Sequence, residues 1–154
     1  MTAKSKNPTV RIAESDADIG RCYLVMEELR PHVSAEEFVP QIRRQMQAGF
    51  RLAWVEDHGK VVAVAGFRRG ENLSHGRFLY VDDLVTTEAG RSRGYGKTLL
   101  DWLADHGREH GCRYLELDSG VQRFEAHRFY LREGMQIRSH HFSRELGPAG
   151  ERNK

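Results

Sequence analysis

The sequence predicts one mixed α/β domain, and chain length, composition and hydrophobic periodicity each support this. A chain of 154 residues suits a single hydrophobic core. With 39% hydrophobic and 30% charged residues, its composition is that of an ordinary globular domain. Apolar residues recur with a period of two in some segments and at helical spacing in others. The predicted order is strand, two helices, three strands, helix, strand, helix, strand. This order favours antiparallel pairing in the first half and a strand–helix–strand crossover in the second.

The first half begins with a strand over residues 9–13, where apolar and polar residues alternate. Two helices are predicted next, and each starts with a capping box, in which a hydroxyl and a carboxylate cap backbone N–H groups. The two boxes are Ser15 with Asp18 and Ser34 with Glu37. The first helix ends before Pro31, and Gly49 is a plausible stop for the second.

Three strands follow. Residues 52–55 and 61–65 flank the sequence Asp-His-Gly-Lys, which predicts a β-hairpin with Gly59 at the turn. Residues 77–85 are rich in aromatic and branched side chains and predict the third strand.

The second half alternates helices and strands. A helix is predicted over residues 97–110 and a strand over 114–117. A shorter helix over 122–132 ends at Gly134, and residues 135–142 carry a final strand pattern.

Charge, hydropathy and cysteine content exclude several classes of protein. The 24 basic and 22 acidic side chains leave a net charge of +2, whereas nucleic-acid binding needs a concentrated basic surface. The apolar runs are far shorter than the ~20 residues that span a bilayer. The N-terminus lacks an apolar signal core, and Cys22 and Cys112 have no metal-like or redox-motif spacing, so we expect a cytoplasmic protein. Residues 8–146 are expected to form the domain, with flexible tails at 1–7 and 147–154.

The most informative segment is glycine-rich and basic, and it connects a strand to an amphipathic helix. Arg91, Gly94 and Gly96 form the pattern Arg-x-x-Gly-x-Gly. Glycines expose backbone N–H groups, and the helix start adds its positive dipole end, so the junction suits a pyrophosphate. A Walker loop would need glycine at Arg91, and a dinucleotide fingerprint would need glycine at Leu99, so neither fits. The alternative is a tight turn with a solvated basic surface.

This segment resembles the coenzyme A loop of the GNAT superfamily of N-acetyltransferases, Arg/Gln-x-x-Gly-x-Gly/Ala between a strand and a helix. Residues 126–135 resemble the family's C-terminal motif, in which Ala-x-x-Phe-Tyr precedes a helix-ending glycine. The resemblance covers residues 8–146. It implies a twisted, mixed and mostly antiparallel sheet of six to seven strands flanked by four helices, and acetyl-coenzyme A as co-substrate. Residues 127–134 also resemble aminoalkylphosphonate N-acetyltransferases.

The resemblance implies roles for several residues. Tyr130 would be the general acid that protonates the departing thiolate, although the same spacing suits a core tyrosine. Backbone groups of Leu84 and Val85 would bind the pantetheine arm and polarise the thioester carbonyl. The implied cofactor contacts in the loop are Arg91, Ser92, Arg93, Gly94, Tyr95, Gly96, Lys97 and Thr98. Many members have an asparagine where this chain has Arg123, so that amide contact to the cofactor is not supported here.

Acetyl transfer needs a neutral amine, and an alkylamine with a pKa of ~10.4 is mostly protonated at neutral pH. Asp82 and Asp83 end the strand before the loop, where a carboxylate could take that proton. Successive strand residues point to opposite faces, so only one can enter the cleft unless a bulge intervenes. Similarity to polyamine-type members of the superfamily favours Asp82 as the base, with Asp83 next. The alternative is that either carboxylate pairs with Arg91 or Arg93.

The predicted function is transfer of acetyl to the primary amine of a small molecule, directly within a ternary complex. Cys112 follows a helix end, so an acyl-cysteine intermediate is not expected. Arg30, His32 and Glu36, near the junction of the first two helices, are candidate substrate-binding residues, or else surface charges. The functional alternatives are acetylation of a protein lysine or N-terminus, and a non-catalytic acyl-coenzyme A sensor.

No nucleic-acid or membrane partner and no metal site are expected, and homodimerisation is left open. His140 and His141 would point to opposite faces of the predicted strand, so they cannot chelate a metal as a pair. His127 has no ligand partner at helical spacing.

Overall fold

A computed structural model describes residues 8–148. Of the predicted tails 1–7 and 147–154, all but Gly147 and Pro148 lie outside the described residues. The chain divides into two units, of which the first ends at Leu117 and the second begins at Asp118.

A five-stranded sheet in the order β1-β2-β3-β4-β5 organises the first unit. Its strands are β1 (Thr9–Ile12), β2 (Phe50–Asp57), β3 (Lys60–Asn72), β4 (Gly76–Thr86) and β5 (Tyr114–Leu117). The first four strands pair antiparallel, whereas β5 runs parallel to β4. This confirms the antiparallel first half and the helical crossover predicted for the second.

The β2–β3 hairpin forms at the predicted turn. Asp57 pairs with Lys60, and the two residues between them, His58 and Gly59, have φ of +50° and +75°. Positive φ at both central residues is the turn geometry that matches strand twist. β3 is longer than the predicted run and continues through Gly66 to Asn72.

The helices of the first unit are α1 (Asp16–Arg21), α2 (Tyr23–Leu29), α3 (Ala35–Gln47) and α4 (Tyr95–Glu109). Both predicted capping boxes are present. The single helix predicted before Pro31 is two helices, because the Cys22 N–H bonds the carbonyl of Ile19, only three residues back, and tightens the chain there. None of the helices among the described residues is long and apolar enough to span a membrane.

Helices α1 to α3 and the sheet share a hydrophobic core. Apolar side chains from both bury against one another, among them Ile19, Met26, Phe38, Ile42, Phe50 and Trp54. Cys22 is fully buried in this core, and burial raises the pKa of its thiol to about 12. It is therefore an inert filler of the core.

The second unit contains helix α5 (Phe124–Arg132), which ends before Gly134 at a φ of +88°. The strand predicted over 135–142 does not form, since residues 135–148 adopt no helix or strand. Its apolar side chains Ile137 and Phe142 are 75% and 91% exposed. Alternation alone does not make a strand without a neighbour to pair with.

The mixed α/β class and mostly antiparallel sheet are confirmed, but the element counts differ from the expectation. The described residues form five strands rather than six to seven, because residues 135–142 do not form a strand. They form five α-helices rather than four, because the first predicted helix is interrupted at Cys22.

Candidate active site

The glycine-rich segment forms a loop in which two residues have left-handed backbone angles. A 3-10 turn spans Glu88–Gly90, and the Thr87 hydroxyl accepts a hydrogen bond from the Gly90 N–H at 3.0 Å. A Cβ on Gly90 would lie 2.7 Å from the Thr87 hydroxyl oxygen, so only glycine fits. Ser92 and Gly94 then have φ of +67° and +81°. These turns bring the chain directly into α4.

The start of α4 presents backbone N–H groups to the loop. The ladder of helical hydrogen bonds begins with the Thr98 N–H, which donates to the Gly94 carbonyl at 3.0 Å. The N–H groups of Tyr95 and Gly96 precede that ladder and lie at the positive end of a 15-residue helix. Arg91, Ser92, Arg93 and Lys97 are exposed around them. This arrangement suits an anion such as a diphosphate.

Tyr95 fixes the helix start to the β2–β3 hairpin. Its side chain is buried, and its hydroxyl donates a hydrogen bond to the Asp57 carboxylate. That bond is the main cause of the raised pKa of the Tyr95 phenol. This contact could not be predicted from the sequence, because the two residues lie 38 positions apart. Tyr95 thus positions the loop through its side chain.

β4 loses one of its two neighbours halfway along. Its ladder with β5 ends where Val81 pairs with Leu117, whereas its ladder with β3 continues to Thr86. Leu84 and Val85 pair with β3 on one side, and among the described residues no strand covers their other side. This free edge can accept an extended ligand as an added strand.

A β-bulge lies at the point where β4 loses this neighbour. Gly66 pairs with Asp83, but the next β3 residue, Phe67, pairs with Val81, so Asp82 is the extra residue in β4. The bulge lets Asp82 and Asp83 line one cavity. A Cβ on Gly66 would lie 2.6 Å from Asp83 Oδ2, so this glycine makes room for the carboxylate.

Each carboxylate has an arginine partner, and neither partner is Arg91 or Arg93. Arg68 binds both oxygens of Asp82, with Nη2 at 2.5 Å from Oδ2 and Nε at 3.1 Å from Oδ1. Arg30 Nε donates to Asp83 Oδ1 at 2.8 Å. Its Nη2 also donates to the backbone carbonyl of Asp82 at 3.1 Å.

The two carboxylates differ in their surroundings. The Asp83 side chain is only 14% exposed, and burial raises its pKa, although the hydrogen bond from Arg30 opposes that shift. Asp82 is held by a guanidinium on two oxygens, and that contact raises the pKa of Arg68.

The cavity has a volume of about 270 Å³ and lies between α2, α3 and β4. Its apolar wall consists of Met26, Val33, Phe38 and Ile42. Its polar wall consists of Arg30, His32, Gln41, Gln45, Asp82 and Asp83. Of the predicted substrate-binding residues, Arg30 and His32 line this cavity. Glu36 is exposed in the first turn of α3 and is not part of the lining.

Gln41 was not identified from the sequence. Its Nε2 donates to Gln45 Oε1 at 3.1 Å, and its own Oε1 is buried without a hydrogen-bond partner among the described residues. Glutamines at i and i+4 on an amphipathic helix carry no special signal, and only the cavity distinguishes this pair.

Tyr130 lies on α5 in the second unit, next to Phe129, with ring centroids 5.4 Å apart. Burial raises the pKa of its phenol, so the group keeps its proton at neutral pH. Arg123 is at the N-cap position of α5 and is exposed. Residues 8–148 contain no cluster of three metal-binding side chains.

Comparisons with known proteins agree with this geometry. The model of the acetyltransferase (GNAT) family matches residues 19–135. An uncharacterized N-acetyltransferase of Bacillus subtilis, YhdJ, is 35% identical over 122 residues, covering 78% of this chain and 86% of that protein. An aminoalkylphosphonate N-acetyltransferase of Salmonella typhimurium is 31% identical over 126 residues, covering 81% of this chain and 80% of that protein. The solved structure of the aminoglycoside N-acetyltransferase AAC(6′)-Iy with a bisubstrate analog has the same fold, with a TM-score of 0.81. The two sequences are 14% identical, and the match covers 92% of this chain and 100% of that one.

Proposed function

The chain belongs to the GNAT family of acetyltransferases and is an N-acetyltransferase that uses acetyl-coenzyme A, and we propose that its acceptor is the primary amine of a small molecule. The observation that carries this proposal is the cavity of about 270 Å³ beside the β4 bulge, where two carboxylates meet an apolar wall. That volume suits a small molecule. The family match spans parts of both units, which supports the proposal that residues 8–146 act as one acetyltransferase domain.

The residues of the loop and of the β4 edge fit acetyl-coenzyme A. Its diphosphate would be held by the N–H groups of Tyr95 and Gly96 and by the exposed side chains of Arg91 and Arg93. Its pantetheine amides would pair with the free backbone edge of β4 at residues 84–85. When bound, the co-substrate supplies a thioester whose acyl carbon accepts the amine.

In this proposal Asp83 is the general base and Asp82 is the second candidate. Burial raises the pKa of Asp83, which makes that carboxylate a better proton acceptor than an ordinary aspartate. Asp82 is less suited because Arg68 occupies both of its oxygens. The amine nitrogen loses one proton to Asp83, directly or through water, and forms the new bond to the acyl carbon.

Tyr130 supplies the other proton in the proposed reaction. The carbon–sulfur bond breaks as the amide forms, and the phenol donates its proton to the departing thiolate. The second proton that the nitrogen loses as it becomes an amide leaves through water and restores the phenol. The match of residues 126–135 to the family's C-terminal motif supports this role. The raised pKa of the phenol supports it further, since a general acid must be protonated at working pH.

The test measures thiol release from acetyl-coenzyme A with a panel of amines. The panel starts with aminoalkylphosphonates, because the Salmonella typhimurium relative is named for them, and adds polyamines, amino acids, peptides and proteins. We expect turnover with at least one small amine and a large loss of turnover in Tyr130→Phe with coenzyme A binding retained. Acetylation of peptides or proteins alone would support the protein-directed alternative. Tight coenzyme A binding without thiol release from any compound would support a sensor.

A second test concerns the loop. Gly96→Asp places a carboxylate in the first turn of α4, where it favours the helix but repels a diphosphate. We expect this variant to fold and to lose the thermal stabilisation that coenzyme A gives the wild type, while Gly96→Ala keeps most of it. Normal coenzyme A binding by Gly96→Asp would contradict the proposed phosphate site.

A further inference from the structure

The Arg30–Asp83 ion pair occupies the position that an acceptor ammonium needs. Asp83 is the proposed base, and its Oδ1 already accepts a hydrogen bond from Arg30 Nε at 2.8 Å. The Arg30 side chain is 42% exposed, whereas that of Asp83 is 14% exposed. The arginine is therefore the partner that can move, because its side chain makes one other hydrogen bond to the described residues, from Nη2 to the Asp82 carbonyl at 3.1 Å.

The charges around the cavity determine which amines can replace Arg30 on Asp83. Two carboxylates and two guanidiniums pair one to one, so these four groups carry no net charge. An ammonium that binds Asp83 displaces Arg30 and leaves a second positive charge beside it. Like charges at such a distance repel, so a simple cationic amine is disfavoured unless something neutralises Arg30.

We propose that Arg30 is a specificity-determining residue and that the acceptor is a small amine that also carries an anionic group. The substrate ammonium replaces the guanidinium on Asp83, and Arg30 turns to bind the carboxylate, phosphonate or similar anion of the same molecule. Each charge then keeps a partner throughout binding. This inference rests on the proposed function, because it assumes that the cavity binds the acceptor.

Gln41 strengthens the assignment of the cavity to a ligand with several hydrogen-bond donors. Gln41 lines the cavity, and its Oε1 is buried without a hydrogen-bond partner among the described residues. A buried acceptor without a donor is costly, so a ligand N–H there adds favourable free energy. An ammonium has three such donors, and Asp83 needs only one of them.

The test compares amines that share a three-carbon chain and differ in the second group. The acceptors are 3-aminopropylphosphonate, 4-aminobutyrate, butylamine and 1,3-diaminopropane, assayed by thiol release with the full chain. We expect kcat/KM for the two anionic amines to exceed that for butylamine by about tenfold or more, with the diamine lowest. The phosphonate and carboxylate arms identify which anion is preferred.

Arg30→Gln should remove this difference mainly through KM. We expect KM for the anionic amines to rise about tenfold. KM for butylamine should fall, because no guanidinium remains to be displaced from Asp83 or to repel the ammonium. Arg30→Lys should restore part of the preference. Arg44→Gln is the matched control, since Arg44 is exposed on α3 and does not line the cavity.

Several outcomes would overturn the inference. Equal kcat/KM for anionic, neutral and dicationic amines in the wild type would do so, as would an equal loss for all amines in Arg30→Gln. If Arg30→Gln does not fold, the wild-type comparison still decides. Acetylation without an anion preference contradicts this inference alone, whereas the absence of thiol release with every small amine contradicts the proposed function as well.

Discussion

The two halves of β4 are one continuous strand, yet they have different neighbours. Residues 78–81 pair with β3 on one edge and with β5 on the other. Residues 83–86 pair with β3 and with no other strand in the part of the chain that the structure describes. Leu79 in the first half is fully buried among apolar side chains, whereas Asp82 and Asp83 begin the second half and line a cavity.

Because of this difference, residues that stabilise the fold and residues that are free to contact a ligand lie only a few positions apart in β4. A strand with two neighbours uses both rows of its backbone hydrogen bonds inside the protein, so it has none left for a ligand. A strand with one neighbour keeps a row of donors and acceptors free, and the bulge at Asp82 turns two carboxylates to one side. Substitutions in the first half should therefore change the free energy of unfolding, and substitutions in the second should change the rate.

The largest effect is expected for Asp83→Asn in the second half. Removal of the proposed base should lower kcat by about 10²–10⁴-fold, the usual contribution of a general base. Thermal stability should fall little, because burial disfavours the charged form of Asp83 in the folded protein. Steady-state kinetics and thermal unfolding measure both quantities. Asp82→Asn is the matched variant, and a larger loss of kcat there would transfer the role to Asp82.

Leu79→Ala tests the first half. Leu79 is fully buried, so truncation should cost about 2–5 kcal/mol of unfolding free energy. The kcat of the protein that remains folded should stay near the wild-type value, because Leu79 does not line the cavity. Urea unfolding and kinetics are compared with those of Leu73→Ala, whose side chain is fully exposed and should change stability by less than about 0.5 kcal/mol. A loss of kcat with unchanged stability in Leu79→Ala would contradict the comparison.

Gly66→Ala should affect both properties, because Gly66 faces the bulge. The added Cβ would lie 2.4 Å from a Phe50 ring carbon and 2.6 Å from Asp83 Oδ2. Overpacking of this kind costs about 1–3 kcal/mol, and displacement of Asp83 should lower kcat as well. Gly20→Ala is the control, since no atom outside its chain neighbours and its own helix backbone lies within 4 Å of the position its Cβ would take. Wild-type stability and activity in Gly66→Ala would show that the bulge tolerates a side chain.

Local signals predicted much of the fold. The capping box of Ser15 and Asp18 is contained in four residues. The hairpin turn is equally local, because the two residues that form it, His58 and Gly59, adopt the positive φ angles that it needs. The interruption at Cys22 could not be predicted, because the surrounding residues keep the apolar spacing of one continuous helix.

The candidate site was predictable in position but not in its contacts. Asp82 and Asp83 stand out in the sequence because two acidic residues end a strand before a glycine-rich loop. Their partners could not be inferred, since Arg30 lies 53 residues from Asp83 and the bulge depends on the register with β3. For residues 135–142 the prediction itself was wrong, because an alternating pattern favours a strand but cannot supply a neighbouring strand to pair with.

The smallest expected effect is a change in the pH dependence of stability, and it concerns only the second half of β4. Burial raises the pKa of Asp83, and the hydrogen bond from Arg30 lowers it. Arg30→Gln removes the lowering contribution, so the Asp83 pKa should rise further above its ordinary value, as followed by NMR titration of the labelled carboxyl carbon. A folded-state pKa above the unfolded value means that stability from this group is complete below the unfolded pKa and is lost as pH rises through the folded pKa. Arg30→Gln should therefore reduce the unfolding free energy more at neutral pH than at acid pH, whereas Arg44→Gln should show no such dependence. A pKa that falls or stays constant in Arg30→Gln would mean that Arg30 does not stabilise the Asp83 carboxylate, and the charge exchange at this half of β4 would lose its basis.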